Sequence, residues 1–153
     1  MIWSKKASSS FPPHVEGSQE VERYIYTPGV GGKALAEGLI KGVFVAEKCG
    51  SDLWFPPRGF CPDLSKPSIY IEIPGDTTWI VKSYTIVRRN SKGEELDNPI
   101  TLVYVTLDGT KGGIVHKLKP GVAPEIGARV RAKFKPENER KGTLEDILYF
   151  EPV

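Results

Sequence analysis

The sequence predicts a mainly β protein: a five-stranded barrel of the OB type, preceded by a short helix and a zinc-ribbon-type hairpin. Three observations carry this. Five β-branched and aromatic segments, separated by turn signals, fill the second half of the chain. One stretch of helical periodicity precedes them. Between the two lies A-E-K-C-G-S-D-L-W-F-P-P-R-G-F-C-P-D-L, from Ala46 to Leu64, which has the outline of two cysteine turns joined by a hairpin.

Residues 1–30, rich in Ser, Pro and Gly and without periodicity, read as an extended arm. Residues 31–42 read as a helix: K-A-L-A-E-G-L-I-K sets Leu35, Leu39 and Ile40 on one face, and Gly42 stands at the usual terminating position. Residues 43–74 form the ribbon-like segment, entered through Val43-Phe44-Val45 and left through Ile69-Tyr70-Ile71 and the Pro74-Gly75 turn. Residues 75–153 are assigned to the barrel. Its strands are read as Thr78–Arg88, Ile100–Leu107, Gly113–Lys119, Gly127–Phe134 and Thr143–Phe150, with a loop at Asn90–Gly93 and a hairpin signal at Asp108-Gly109. In the fourth of these, Ala128, Val130, Ala132 and Phe134 alternate with Arg129, Arg131 and Lys133, as a half-buried strand requires. The barrel core is expected from Trp79 or Val81, Ile86, Val103, Val105, Val130 and Phe134. On pattern alone, an SH3-like barrel or a small sandwich fits nearly as well.

A chain of 153 residues, 39% hydrophobic and 26% charged, suits one domain or a small domain with an appendage. A net charge of +2 is too mild to imply polyanion binding by charge alone. No apolar run approaches the roughly 18 residues of a membrane-spanning helix, and M-I-W-S-K-K-A-S-S-S-F-P-P lacks a signal-peptide core. The expected location is the cytoplasm, where two cysteines are normally reduced thiols; a disulfide there is reasonable only in a hyperthermophile, which the sequence does not establish.

A structural zinc site needs four ligands. Cys49 and Cys61 fill two of the four places in a pair of Cys-x-x-Cys turns, whereas Ala46 and Leu64 fill the others and donate nothing. The two cysteines are read as the remnant of a four-cysteine zinc site, and no metal or cofactor is expected. Asp52 and Asp63 stand near enough in sequence to complete a mixed site, though carboxylates are uncommon in closed ones. Packed free thiols and a disulfide are the other two states that the residues allow. No histidine lies near either cysteine; His14 and His116 sit in unlike contexts, and His116 on a strand reads as structural.

Trp54-Phe55-Pro56-Pro57-Arg58 is an apolar loop tip that ends in a cation and is stiffened by two prolines. Its aromatics can pack on the barrel, or form a shelf from which Arg58 reaches a phosphate or carboxylate; the two are compatible. Lys82, Arg88, Arg89, Arg129, Arg131, Lys133 and Lys135 read as a solvated outer face. The alternative is an anion groove, but Trp79 and Tyr84 share alternation parity only in part, which makes a poor stacking platform. G-V-G-G at 29–32 lacks the lysine and hydroxyl spacing of a nucleotide loop.

The order and spacing of G-L-I-K-G (38–42), C-G (49–50), F-P-P-R (55–58), C-P (61–62), S-Y-T-I-V (83–87), L-D-G (107–109), I-G-A-R-V (126–130) and Y-F-E-P (149–152) carry a family resemblance. From about Leu35 to Val153 the chain resembles the acyl-CoA-associated OB-fold proteins with an N-terminal rubredoxin-like zinc ribbon. Positions 46 and 64 depart from that pattern. The resemblance implies a non-catalytic accessory or scaffold subunit that binds acyl-CoA or CoA. It also implies partnership with a thiolase-like or hydroxymethylglutaryl-CoA-synthase-like enzyme, with Phe55, Pro56, Pro57 and Arg58, beside Trp54, at the contact. A reading from another class is a single-stranded nucleic-acid-binding OB module, whose affinity would fall steeply with salt. The missing ligands carry an expectation of their own: elemental analysis of the pure protein should find less than one zinc per chain. One tightly held zinc, lost in a Cys49→Ser variant, would contradict it.

Overall fold

The computed structural model describes residues 2–6, 14–18, 23, 25–63 and 65–153, and its strands fall into three sheets. In the first, β1 (Ile2–Lys6) and β2 (His14–Ser18) pair antiparallel, so the expected arm contains a two-stranded ribbon. In the second, β3 (Phe44–Cys49) lies between β4 (Asp52–Trp54) and β5 (Ser68–Ile73). The third holds β6 (Thr78–Arg89), β7 (Glu95–Leu107), β8 (Ile114–Lys117), β9 (Arg129–Phe134) and β10 (Ile147–Pro152), in the order β10-β9-β6-β7-β8. Its edge strands, β8 and β10, meet at one parallel bridge, Leu118 to Phe150, where the Lys119 N–H donates to the Phe150 carbonyl at 2.8 Å. The fold is the expected OB type, but a single bridge rather than a full ladder joins the two edges.

Helix α1 runs Gly29–Lys41, two residues ahead of its expected start, and Gly42 ends it with a left-handed φ of 78°. Its buried residues are Gly31, Gly38 and Leu39; Ile40, expected on the same face, is exposed, being a full step round the helix from Leu39. β7 begins five residues before the expected Ile100. The Asn90 side-chain oxygen accepts from the N–H groups of Lys92 and Glu94, and that tight loop lets pairing resume at Arg89 and Glu95. Thr143–Asp146, expected as strand, instead includes the 3-10 turn Leu144–Asp146. The buried Asp146 carboxylate accepts from the N–H groups of Lys141, Gly142 and Thr143, which curls the chain back on itself.

One aromatic cluster joins the two larger sheets. Phe44 of β3 lies 4.8 Å from Trp79 of β6 and 5.8 Å from Phe55, which stands 5.0 Å from Trp79. Phe150 of β10 closes the cluster 5.8 Å from Trp79. These rings meet edge to face, the arrangement that the ring quadrupole favours. Trp79, Val81, Val103, Val105 and Val130 are buried as expected. Phe134 is only half-buried, against Phe44 and under the Arg140 guanidinium. Ile86 is half-buried, opposite Thr101 on the part of the β6–β7 hairpin beyond the reach of β9.

Truncating Phe55→Ala should therefore destabilise the fold by about 3–5 kcal/mol, and Phe134→Ala by less than that, in chemical denaturation. Acid should act in two steps. Burial holds His116 below its ordinary 6.5, so the neutral ring's stability is full above that value and fades as pH falls through the lower folded pKa. Burial pushes Asp146 up, but three backbone N–H donors and the Lys135 charge outweigh it and hold the carboxyl below 3.8. Its contribution is full above 3.8 and is lost as pH falls further. Stability against pH should show both limbs, and Asp146→Asn should remove only the lower one.

Candidate functional site

The tip is held from inside by a carboxylate. Along β3 successive side chains alternate, so Phe44 and Ala46 face the shared core while Val45, Glu47 and Cys49 face the other way. Glu47 is fully buried. One of its oxygens accepts from the Arg58 N–H at 2.6 Å and the Gly59 N–H at 3.1 Å, and the other accepts from the Ser68 hydroxyl. A buried carboxylate is costly unless its oxygens are so occupied, and hydrogen bonds to an ionised acceptor are the strong kind. The loop 57–59 is thereby pinned to the middle of the three-stranded sheet.

Other contacts fix the same loop. The Phe55 N–H donates to the Lys111 carbonyl at 2.9 Å, and the Lys111 N–H to the Leu53 carbonyl at 2.7 Å, stitching the tip to the turn before β8. Gly112 permits that approach: a Cβ there would meet the Phe55 carbonyl oxygen at 2.2 Å. Gly31, in the first turn of α1, does the same from the helix side; its Cβ would lie 2.8 Å from the Gly59 nitrogen and 3.0 Å from the Pro57 oxygen. Cys49 and Cys61 form a disulfide with their Cα atoms 5.6 Å apart. A cross-link closing a loop of this size is worth about 3 kcal/mol in the chain-entropy account.

These tethers decide what the tip shows to solvent. Phe55 and Pro57 are buried, Trp54 is half-buried, and Pro56, Arg58 and Phe60 are exposed. The expected apolar shelf is therefore mostly turned inward. Its outer surface is cationic: the Arg58 guanidinium lies 3.6 Å from the centre of the Trp54 ring, and the Lys111 ammonium 5.2 Å from the same ring. Lys111 also bonds Asp52 at 2.7 Å, and that hydrogen bond chiefly holds the Asp52 carboxyl below its usual range. The Trp54 indole N–H is buried and finds no acceptor among the described residues. Arg58, on the face of a rigid indole and beside the Lys111–Asp52 pair, is thus the cation placed to meet a phosphate or carboxylate.

Four contributors were not read from the sequence. Lys111 is distant in the chain. Glu47 was signalled only by a charge inside the apolar run V-F-V-A-E. The G-V-G-G segment is explained by the close approach at Gly31, not by nucleotide binding. Phe60, 59% exposed, is the aromatic that the tip offers to solvent.

The metal reading changes as well. The ligand atoms of Glu47, Cys49 and Cys61 lie within 4.8 Å of one another, all buried. They do not fit a closed zinc site: the sulfurs are bonded to each other, and the carboxylate already accepts three hydrogen bonds. Ala46, read as a vacated ligand position, lies in the core on the opposite face of β3; Leu64 falls outside the described residues. Of the states left open for Cys49 and Cys61, the structure has the disulfide.

Lys82, Arg88, Arg89, Arg129, Arg131 and Lys133 are exposed, with Arg89 paired to Glu95 and Arg131 to Glu151; Lys135 is half-buried. Trp79 is wholly buried, so it cannot serve a stacking platform with Tyr84. The His116 Nε2 lies 2.9 Å from the Leu144 carbonyl and its ring packs on Phe150. No helix among the described residues is long and apolar enough to cross a membrane.

Residues 73–135 match the family described as ChsH2, C-terminal OB-fold domain. The chain is similar in structure to a protein of unknown function from the DUF35 family of Sulfolobus solfataricus, with a TM-score of 0.62 and 21% identity over 80% of this chain and 85% of that one. It is also similar to the Ltp2–ChsH2(DUF35) aldolase, with a TM-score of 0.54 and 24% identity over 77% of this chain and 91% of that one. No curated protein matches it. The OB-fold and the resemblance to an acyl-CoA-associated OB-fold family are borne out.

Removing the internal carboxylate should loosen the tip selectively. Glu47→Ala leaves the Arg58 and Gly59 N–H groups without their acceptor, a loss of roughly 2–4 kcal/mol. Amide exchange should accelerate first across residues 55–60. Uniform acceleration over the barrel strands would show that Glu47 supports the whole fold rather than the tip.

Proposed function

We propose that this chain is a non-catalytic accessory subunit that partners a thiolase-like enzyme and helps hold the CoA moiety of its acyl-CoA through the tip. The observation that carries this is the Arg58–Trp54–Lys111 cluster, mounted on a loop that Glu47 and the Phe55 core fix in place. Preorganisation matters because a cation already immobilised loses little freedom on binding. The phosphates of CoA are the groups that a guanidinium fork and an ammonium recognise.

The fold shared with the DUF35 chain of the Ltp2–ChsH2 aldolase supports partnership with an enzyme. A hydroxymethylglutaryl-CoA-synthase-like enzyme is a second partner of the same class, since it too handles a thioester of CoA. A role without its own catalysis accords with His116, which is occupied by Leu144 and Phe150. In this reading the ribbon works without zinc, in the cytoplasm, with the disulfide as its staple.

Co-purification from the native organism identifies the partner, and Arg58→Ala then tests the site. Arg58 is exposed, so its truncation should change stability by no more than about 0.5 kcal/mol. Complex formation, or the partner's use of acyl-CoA, should weaken more than tenfold, about 1.4 kcal/mol. An early-melting variant with unaltered partner binding and turnover would make Arg58 structural and sink the reading.

A further inference from the structure

The outer face of β7 and β8 departs from the polar pattern of β9. The Leu118 N–H donates to the Thr101 carbonyl at 2.9 Å, and the register continues through Leu102/Lys117, Val103/His116 and Tyr104/Val115. Val103 faces the core, so Leu102, Tyr104, Val115 and Lys117 face outward. Val115 is 58% exposed. On β10 the register slips at Leu148, which stands as the extra residue of a bulge and is 41% exposed. Bulges re-aim side chains in this way.

Between these strands lies the incompletely paired seam of the barrel. Two adjoining grooves of about 400 and 390 Å³ run along it, and Lys117 and Leu148 line both. Leu102, Val115 and Ile147 line the first, with Lys135 and Glu145 at its polar side; Ile100 and Leu118 line the second. Because Thr101 and Leu118 form a hydrogen-bonded pair, alternation turns the main chain of Val115 away from β7 and toward the seam. No strand pairs with Val115 on that side, since β8 and β10 are bridged only at Leu118 and Phe150.

We propose that this seam is a docking groove for an extended segment of a partner protein, in which aliphatic residues alternate with Asp or Glu, added as a strand beside Val115. A sheet edge offers its hydrogen bonds to an extended chain rather than to a helix. The aliphatic side chains of such a strand turn inward over Ile147 and Leu118, which line the grooves from the core side, and its alternate residues turn outward, to the face that carries Lys117. Lys117 and Lys135 take part in no salt bridge among the described residues, whereas the neighbouring Lys119 is paired with Glu151 at 3.0 Å. Carboxylates on the incoming segment complement them. A second copy docked by the same face would set its lysines against these, and single-stranded nucleic acid would need exposed aromatics to stack on where the walls are chiefly aliphatic. This surface is distinct from the tip and does not rest on the function proposed for it.

The test uses the full chain and a fluorescein-labelled peptide of about eight residues alternating valine and glutamate, followed by anisotropy at low salt. One peptide should bind per chain, and the amide signal of Val115 should shift on titration. Lys117→Glu, and separately Leu148→Asp, should each weaken binding more than tenfold while leaving the circular dichroism unchanged. N-methylation of alternate peptide amides should do the same. The proposal is overturned by equal binding to wild type and variants, or by no saturation up to about 1 mM. Tighter binding of a valine–lysine peptide or of oligo(dT), or a wild-type dimer that Leu148→Asp dissociates, would overturn it as well.

Discussion

Phe55 is where the molecule is joined. It belongs by sequence to the loop after β4 and by packing to the barrel, 5.0 Å from Trp79 and 5.8 Å from Phe44. Ribbon and barrel therefore share one core, and neither buries its aromatic face without the other. The loop cannot swing as a flexible arm because its second aromatic is committed to the interior. The neighbouring Trp54, half-exposed on the next alternation step, becomes a fixed platform for two cations.

Glu47 extends that constraint from the ring to the backbone. An apolar side chain at this position would pack well enough, but would leave the Arg58 and Gly59 N–H groups unpaired beneath the loop. The carboxylate, the disulfide and the close approach at Gly31 act on residues 57–61 from three directions. A zinc ion at the head of a ribbon restrains two turns through their thiolates. Here a covalent cross-link and a buried acid hold the same kind of loop, and the ribbon shape survives without a four-ligand set.

The barrel divides into unlike faces for a reason that register makes plain. Arg129, Arg131 and Lys133 on β9 keep one outer face charged and solvated. Across β7 and β8 the outward positions hold Leu102, Tyr104 and Val115 beside Lys117, and the bulge at Leu148 adds another apolar side chain. An OB barrel whose edges meet at one bridge leaves a seam, and side-chain chemistry decides whether that seam is sealed or offered. Lys117, in no salt bridge among the described residues, stands on the rim of that seam.

The sequence by itself determined what depends on local periodicity and turn chemistry. The helix ending at Gly42, the alternation of Val130 against Arg129 and Arg131, the Asn90–Gly93 loop and the five barrel strands all follow from near neighbours. So did the aromatic, proline-stiffened character of residues 54–58. The tertiary structure decided which of those side chains face out. Phe55 turns inward because Trp79 and Phe44, far apart in sequence, close around it. Lys111 joins Arg58 because a loop between β7 and β8 is stitched to Leu53 and Phe55. Cys49 finds Cys61 rather than a metal because β3 runs straight through Ala46 and turns that residue into the core. Thr143 to Asp146 curls instead of extending because one carboxylate can reach three N–H groups at once. Each is a contact whose partner local pattern cannot name, because only the closing of the chain brings the two together.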